Sequence, residues 1–444
     1  MSRQQAITEW RHTVEDRYAA ERPKSAALFE RAQRSLPGGD TRYSSTLEPF
    51  STYFTAGHGQ ELIDADGNRY LDFVNNNTAL VHGHAHPAIV EAAQRQLAHG
   101  TAWAGPNPRQ VDLAELLVDR VPSFERVRFT NSGSEATSMM IKVARAFTRR
   151  DLVMKMDATY HGCGDLFEFG PSADDPTRAA PLMDGLPANL ADNLVIGHFN
   201  DTAGCLELIE RHRDRLAAVI LTPVMSAGLV EPAPGFLEAL RAATTRHGIL
   251  LCFDEVITLR LGRGGAQERF GVVPDLTAVG KIIGGGFPVG AFGGRADIMA
   301  ITDPAGDMRV AHAGTFNGNP VTMAAGLASV ELLTPDAFAH LERIGDSLER
   351  GLRAAVAESR APMNVARSGS LLWLDVNAAA DGGSWADVAP EIRRTLRIAY
   401  LERGVHALGI NATTVMTDQQ VQQGMDAVQD VLDELMRFAP AGVS

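Results

Sequence analysis

The sequence predicts an α/β protein with a mostly parallel central sheet, and two observations lead to that prediction. First, the apolar runs at residues 152–156, 217–221 and 248–253 are typical of short, fully buried strands. Second, residues 236–247 carry apolar side chains at helical spacing between two of those runs. A strand, a helix and a second strand in this order form a unit whose strands run parallel.

Two residues at the predicted strand ends suggest catalysis. Asp254 follows the run at 248–253, and ligands bind at that edge of open α/β sheets. Lys281 follows 27 positions later between Gly280 and Ile282, and apolar neighbours favour a neutral, nucleophilic amine. Alone, Asp254 fits a helix cap equally well, and Lys281 fits a solvated lysine better. Together they suit pyridoxal 5′-phosphate (PLP), which needs a Schiff-base lysine and a carboxylate at its ring nitrogen.

A site for the cofactor phosphate is predicted at the loop formed by Ser132, Gly133 and Ser134. Residues 126–129 approach it as a short strand, and helical spacing begins at Ser134. Free backbone N–H groups at a helix start bind anions, serine hydroxyls add donors, and glycine permits close approach. In isolation, the same residues also fit an ordinary helix N-cap.

Two further residues fit the same cofactor. Tyr160 follows the strand predicted at 152–156, where an aromatic ring can stack on a pyridine ring; a core aromatic in a turn is the alternative. Thr315 lies among small residues before a helix that begins near Pro320. Its hydroxyl and amide can donate to a phosphate, and a simple turn is the alternative.

These motifs occur in the order typical of class III aminotransferases, which the chain resembles over nearly its whole length. Residues 62–73 and 83–87 add to the resemblance. It implies the PLP-dependent transferase fold type I, with a large domain around a mostly parallel sheet and a smaller α/β domain from both chain ends. We therefore expect residues 1–72, with a helix at 15–35, and residues 326–444 to form the small domain. Residues 73–325 are expected to form the large PLP-binding domain.

The resemblance also implies roles for the residues of the site. Lys281 is expected to be the Schiff-base lysine and general base, and Asp254 the partner of the pyridine nitrogen. Tyr160 is expected to stack on the ring. The phosphate contacts are expected from Ser132, Gly133, Ser134 and Thr315. In the family the threonine is donated by the other subunit, which implies a homodimer with shared active sites.

Within the family, the chain is most similar to glutamate-1-semialdehyde aminomutases and aromatic β-amino acid aminotransferases. Arg42, in the segment 36–42, matches an arginine that binds the substrate carboxylate in the β-amino acid enzymes; a surface arginine in a Pro/Gly-rich loop is the alternative. Two departures concern the substrate. Thr222 stands where the family usually has glutamate, and residues 405–413 lack the second arginine of the β-amino acid enzymes.

We therefore expect a PLP-dependent transaminase that moves an amino group between a β-amino or otherwise unusual amino acid and a keto acid or aldehyde. The alternative is an intramolecular aminomutase like the glutamate-1-semialdehyde enzymes, which needs no external acceptor and so fits the missing arginine. A non-catalytic PLP-fold regulator is a third hypothesis, opposed by the complete set of motifs. A nicotinamide dehydrogenase is weaker, because no Gly-x-Gly-x-x-Gly follows an early strand.

Composition limits the remaining functions. The net charge of −13 over 444 residues argues against nucleic-acid or anionic-membrane binding as the main role. The three cysteines are scattered, and the histidines at 82, 84 and 86 have no cysteine or acidic partner at ligand spacing, so we expect no metal. The N-terminus is polar, and no run of about eighteen apolar residues occurs, so we expect a cytoplasmic enzyme acting on small molecules.

Overall fold

The computed structural model describes residues 2–383, 385–407 and 409–439. The chain divides into two compact units, one formed by Pro87–Phe338 and the other by Met1–His86 with Ala339–Ser444. The predicted domain boundaries stay a prediction. Among the described residues, no helix combines the length and the apolar character needed to cross a membrane.

Strands and helices follow one another along the described chain. The strands are β1 (Phe54–His58), β2 (Glu61–Asp64), β3 (Arg69–Asp72), β4 (Arg126–Thr130), β5 (Leu152–Met156), β6 (Phe169–Pro171), β7 (Ala179–Pro181), β8 (Leu194–Gly197), β9 (Leu216–Leu221), β10 (Leu250–Asp254), β11 (Leu276–Gly280), β12 (Gly290–Gly294), β13 (Met363–Ser368), β14 (Leu371–Val376), β15 (Val405–His406) and β16 (Ile410–Asn411). The helices are α1 (Arg3–Ala20), α2 (Pro23–Ala32), α3 (Pro87–Leu97), α4 (Pro108–Arg120), α5 (Gly133–Thr148), α6 (Thr202–His212), α7 (Phe236–His247), α8 (Gly265–Phe270), α9 (Ala296–Met299), α10 (Pro320–Glu331), α11 (Pro335–Ser359), α12 (Ala380–Gly383), α13 (Ala389–Glu402) and α14 (Asp418–Phe438).

A seven-stranded sheet forms the centre of the unit Pro87–Phe338. Its strand order is β4-β12-β11-β10-β9-β5-β8. Strand β10 is parallel to both β9 and β11, whereas β12 is antiparallel to β11 and to β4. The predicted α/β class with a mostly parallel sheet is therefore confirmed.

Both faces of this sheet are covered by helices, which explains why its strands are apolar without alternation. Ala218 and Ile220 of β9 pack in the cluster that contains buried residues of α5. Val219 and Leu221, which point to the other face, pack in the cluster with residues of α6 and α7. Since side chains alternate between the faces of a strand, a strand covered on both sides is apolar at every position.

The unit formed by both chain ends contains two smaller sheets. One has the order β1-β2-β3-β15 and the other the order β13-β14-β16. Strand β15, from the C-terminal part, pairs in parallel with β3, from the N-terminal part. Backbone hydrogen bonds therefore tie the two ends of the chain together within this unit.

The N-terminal helix differs from the one that the sequence predicts. We expected a single helix over residues 15–35, and this was wrong, because two helices, α1 and α2, are present. Ser2 starts α1 early through a capping box, and Pro23, which has no N–H, begins a new helix instead of continuing the first. The buried face of α1 has helical spacing and includes Ile7, Trp10, Val14 and Tyr18.

A buried carboxylate organises the same unit. Asp72, 1% exposed, accepts hydrogen bonds from His84 Nε2 at 2.7 Å and from His406 Nδ1 at 2.9 Å. Burial by itself would raise the pKa of Asp72, but the bonds from the two histidines hold it well below its ordinary value. His84, which belongs to the histidine cluster seen in the sequence, thus has a structural partner.

Candidate active site

Parallel strands bring Asp254 and Lys281 to one edge of the central sheet. Asp254 is the last residue of β10 and pairs in register with Ala278 of β11, and Lys281 follows directly after β11. The Glu255 amide donates to the Ala278 carbonyl at 2.8 Å, which fixes the two strand ends side by side. The charge of Asp254 acts on Lys281 and partly opposes the lowering of the lysine pKa by burial, so the two groups interact electrostatically.

The backbone and the surroundings of Lys281 are unusual for a lysine. Its φ is 51°, in the left-handed region, which costs a non-glycine residue about 1–2 kcal/mol. Such strain tends to occur at functional sites. Burial lowers the pKa of Lys281 to about 8, with a smaller contribution from the Arg260 charge in the same direction and the opposing effect of Asp254. The predicted desolvation of this amine is therefore present in the structure.

A buried histidine holds the Asp254 carboxylate. His161 Nδ1 lies 2.8 Å from Asp254 Oδ2, and the Val256 amide donates to Asp254 Oδ1 at 3.1 Å. The backbone of His161 is fixed in turn, because Thr137 Oγ1 donates to its carbonyl at 2.6 Å. The sequence predicts a role for the neighbouring Tyr160 and none for His161. The position of His161 after the strand at 152–156, whose end lies at the same sheet edge as Asp254, could have indicated this contact.

The predicted phosphate loop lies at the N-terminus of α5. Ser132 is the N-cap, and its hydroxyl accepts from the Glu135 amide at 3.1 Å. The first-turn amides of a helix have no intrahelical partners and carry partial positive charge, so Gly133 and Ser134 present donors suited to an anion. Ser134 Oγ accepts from the Cys163 amide at 3.2 Å. This bond joins the helix start to the segment that carries Tyr160 and His161.

Glycine is required where these two segments meet. Gly162 has a φ of +100°, and a Cβ built on it would lie 2.6 Å from Ser134 Cα. Side-chain atoms can move away from such a contact, but a backbone atom at the start of a helix cannot do so without displacing the loop. The close approach therefore depends on the absence of a side chain at position 162.

We expect Gly162→Ala to lower the free energy of unfolding by about 3–5 kcal/mol, combining left-handed strain with overpacking. Gly185→Ala is the matched control, because Gly185 has a φ of +90° and a Cβ added there would have no atom within 4 Å. In the control, the free energy of unfolding should fall by only about 1–2 kcal/mol, the cost of the left-handed backbone strain. Urea denaturation followed by circular dichroism measures both variants. Equal losses would contradict the close packing of the two segments.

Tyr160 and Thr315 are both accessible in the described chain. Tyr160 is 65% exposed, and Thr315 is exposed in the loop before α10. Asn317 Oδ1 accepts from Asn131 Nδ2 at 2.9 Å, so the loop that carries Thr315 contacts the residue just before the phosphate loop. The predicted cofactor contacts of Tyr160 and Thr315 stay predictions.

Thr222 contributes an unsatisfied polar group beside Asp254. It follows β9, the parallel neighbour of β10, and is 4% exposed. Among the described residues, neither Thr222 Oγ1 nor His161 Nε2 has a hydrogen-bond partner. A buried polar group left unpaired costs about 1–3 kcal/mol, so the carboxyl edge of the sheet retains capacity to bind a polar ligand.

Arg42 belongs to the other unit. Its Nη1 donates to Asn76 Oδ1 at 2.9 Å, and Asp40 accepts from the amides of Thr41 and Arg42. The residue is exposed. Because the Arg42 guanidinium donates to a neutral amide, it can exchange that hydrogen bond for one to a carboxylate, which is the predicted role of Arg42.

Comparisons with known proteins agree on one family. The model described as aminotransferase class-III matches residues 43–432. The glutamate-1-semialdehyde 2,1-aminomutase of Desulforudis audaxviator is 40% identical over 439 residues, which cover 94% of this chain and 99% of the relative. Relatives from Sorangium cellulosum and Syntrophobacter fumaroxidans carry the same name.

Solved structures are similar over almost the full length. An omega-transaminase from Sphaerobacter thermophilus is 45% identical, with a TM-score of 0.88 and coverage of 93% of this chain and 97% of its own. A transaminase solved with PLP bound is 36% identical, with a TM-score of 0.90 and coverage of 95% and 99%.

Proposed function

Because the chain belongs to the class III aminotransferase family, we propose that it is a PLP-dependent enzyme of fold type I that transfers an amino group. The observation that carries this proposal is the placement of Asp254 and Lys281 at the same edge of the sheet, where burial lowers the lysine pKa to about 8. PLP requires an amine for its aldehyde, a carboxylate for its ring nitrogen and anion-binding amides, such as those at a helix start, for its phosphate.

We assign each part of the cofactor to residues of this chain. Lys281 would hold it covalently, Asp254 would face the ring nitrogen, and Tyr160 would stack on the ring. The phosphate would be held by Ser132, Gly133 and Ser134 together with Thr315 of a second copy of the chain. When bound, the cofactor supplies an electron sink that stabilises negative charge on the amine-bearing carbon of the substrate.

The side chains perform the proton transfers. When not bonded to the cofactor, Lys281 Nζ would take the proton from the amine-bearing carbon of the substrate and would return it at a second carbon. A pKa near 8 leaves about a tenth of the amine neutral at pH 7, which a general base requires. His161 orients Asp254 through the 2.8 Å contact, so that the carboxylate keeps one position while charge develops.

The curated relatives support the intramolecular alternative better than the expected transaminase. We therefore propose an aminomutase that moves an amino group within a compound of the glutamate-1-semialdehyde type. The lack of arginine in residues 405–413 supports this, since a mutase has no second carboxylic substrate to bind. Arg42 is proposed to bind the single carboxylate.

A transaminase is the second candidate. The omega-transaminase from Sphaerobacter thermophilus is the observation in its favour, because it shares 45% of residues over 93% of this chain. The resemblance of Arg42 to the carboxylate-binding arginine of β-amino acid enzymes also fits this candidate. The two reactions differ in their need for an external acceptor.

Dependence on a keto acid separates the two candidates. We expect the holoenzyme with glutamate-1-semialdehyde alone to form many product molecules per active site. For a transaminase, product formation stops after about one turnover per site and resumes when pyruvate or 2-oxoglutarate is added. Chromatographic separation of the products from the substrate, followed by their quantification with and without keto acid, measures this, because a mutase product is an isomer of its substrate. A strict requirement for the keto acid would overturn the mutase proposal.

A further inference from the structure

A pocket of about 230 Å³ lies in the unit formed by both chain ends, and none of its lining residues is assigned to the cofactor. Helix α13 forms one wall with Leu396, Arg397 and Tyr400, and Trp373 of β14 forms another. Ala407 and Ile410 also line it. Sites for drug-sized ligands measure about 300–1,000 Å³, so this pocket suits a smaller molecule with an apolar body.

The charges around the pocket are unbalanced. Arg393 is neutralised by Asp375 through two contacts of 2.6 and 3.1 Å, and Arg394 has Glu48 at 3.5 Å. Arg397 has no carboxylate within ion-pair distance among the described residues. Its Nη2 donates to the Ser44 carbonyl at 2.7 Å, and the other guanidinium donors have no hydrogen-bond acceptor among the described residues.

The environment of Arg397 makes an anion a favourable partner. The residue is partly buried, and burial lowers the pKa of its guanidinium. A partly desolvated cation that has no carboxylate partner among the described residues gains more from a carboxylate than an exposed arginine does. Tyr400, also in the wall, is 5% exposed, and its hydroxyl has no hydrogen-bond partner among the described residues.

We propose that this pocket binds a small organic carboxylate, with Arg397 as its charged partner and Trp373 against its apolar body. Ala407 and Ile410 belong to the segment in which the sequence lacks an arginine, so Arg397 supplies a guanidinium beside that segment from α13. The ligand is either the enzyme's own substrate, bound through its carboxylate, or a separate effector. The first alternative rests on the proposed function, and the second does not.

Benzoate is a suitable probe, because it joins a carboxylate to an apolar ring. We expect calorimetric titration of the holoenzyme to detect benzoate but not the neutral benzamide. Arg397→Gln should weaken benzoate binding at least tenfold. Arg350→Gln, an exposed arginine of α11 outside the pocket, should leave the binding unchanged. Quenching of tryptophan fluorescence by benzoate, lost in Trp373→Phe, locates the ligand.

Further readouts separate the two sources of the ligand. If the substrate binds here, Arg397→Gln raises KM about tenfold with little change in kcat, and benzoate competes with the substrate. If an effector binds here, KM is unchanged and benzoate alters the rate without competing. An inactive holoenzyme that still binds benzoate through Arg397 would refute the proposed function and not this site.

Two results would overturn the proposal. One is benzoate binding that is unaffected in Arg397→Gln, and the other is binding that Arg42→Gln abolishes while Arg397→Gln does not. Should Arg397→Gln fail to fold, Arg397→Lys keeps the charge but loses the bidentate fork, and it should bind benzoate more weakly than the wild type. If Arg397→Lys binds benzoate with unaltered affinity and Trp373→Phe retains the quenching, this pocket would equally be excluded as the benzoate site.

Discussion

Lys281→Ala should lower kcat by about 10⁴-fold or more, because one side chain both holds the cofactor and transfers the proton. The variant should also lose the visible absorbance that PLP acquires when attached to a lysine. Steady-state kinetics and absorption spectra of the purified variant measure the two effects. Full turnover with the absorbance retained would contradict the assignment of Lys281.

Lys155→Met is the matched control for this variant. Burial lowers the pKa of Lys155 to about 8, as in Lys281, but its amine donates to the carbonyls of Phe167 at 3.1 Å and Phe169 at 2.7 Å. We expect this control to lose stability and to keep the attached cofactor. Equal loss of the absorbance in both variants would show that the effect of Lys281→Ala is not specific.

The lowered pKa of Lys281 predicts a pH dependence for cofactor attachment. Only the neutral amine is nucleophilic, so the rate at which apoprotein takes up PLP should increase as the pH rises through about 8 and then level off. Stopped-flow absorbance at a series of pH values measures this. A midpoint near 10.5, the ordinary value for lysine, would contradict the burial of the amine.

Asp254→Asn should lower kcat by about 10²–10³-fold, the effect of removing one preorganised electrostatic partner from an active site. The amide has nearly the same shape but no negative charge to hold a proton on the ring nitrogen. Since Lys281 is unchanged, the cofactor should remain attached. Kinetics and the absorption spectrum together separate loss of charge from loss of cofactor.

Asp275→Asn controls for the removal of any buried carboxylate from this sheet. Asp275 is 5% exposed, precedes β11 at the opposite end from Lys281, and pairs with Arg241 and Arg295. The control should destabilise the protein and leave kcat within about threefold, because the charge lies away from the reacting atoms. A loss of less than tenfold in Asp254→Asn would remove that residue from the chemistry.

The convergence of Asp254 and Lys281 was predictable because parallel strands place their carboxyl ends at one edge. The apolar spacing gives the bounds of β5 and α7 correctly, since both elements are buried and strongly periodic. Asp254 lies at the carboxyl end of its strand, as predicted, whereas the strand begins at Leu250, two positions after the start of the predicted run.

Contacts between segments distant in the sequence were not predictable in this way. The bond from His161 to Asp254 joins residues 93 positions apart, and the approach of Gly162 to Ser134 depends on how two loops pack. The N-terminal helix was misplaced because helical spacing does not show where one helix stops and another begins at a proline. The lack of a carboxylate partner for Arg397 among the described residues was not predictable either. It depends on which carboxylates pair with the neighbouring arginines Arg393 and Arg394.

Covalent trapping tests the central claim most directly. Borohydride reduction fixes PLP to the lysine that carries it, and peptide mass spectrometry then identifies that lysine among Lys24, Lys142, Lys155 and Lys281. We predict the label on Lys281. A label on Lys155, whose amine is also buried with a lowered pKa, or the absence of any labelled lysine in holoenzyme that turns over, would contradict the account.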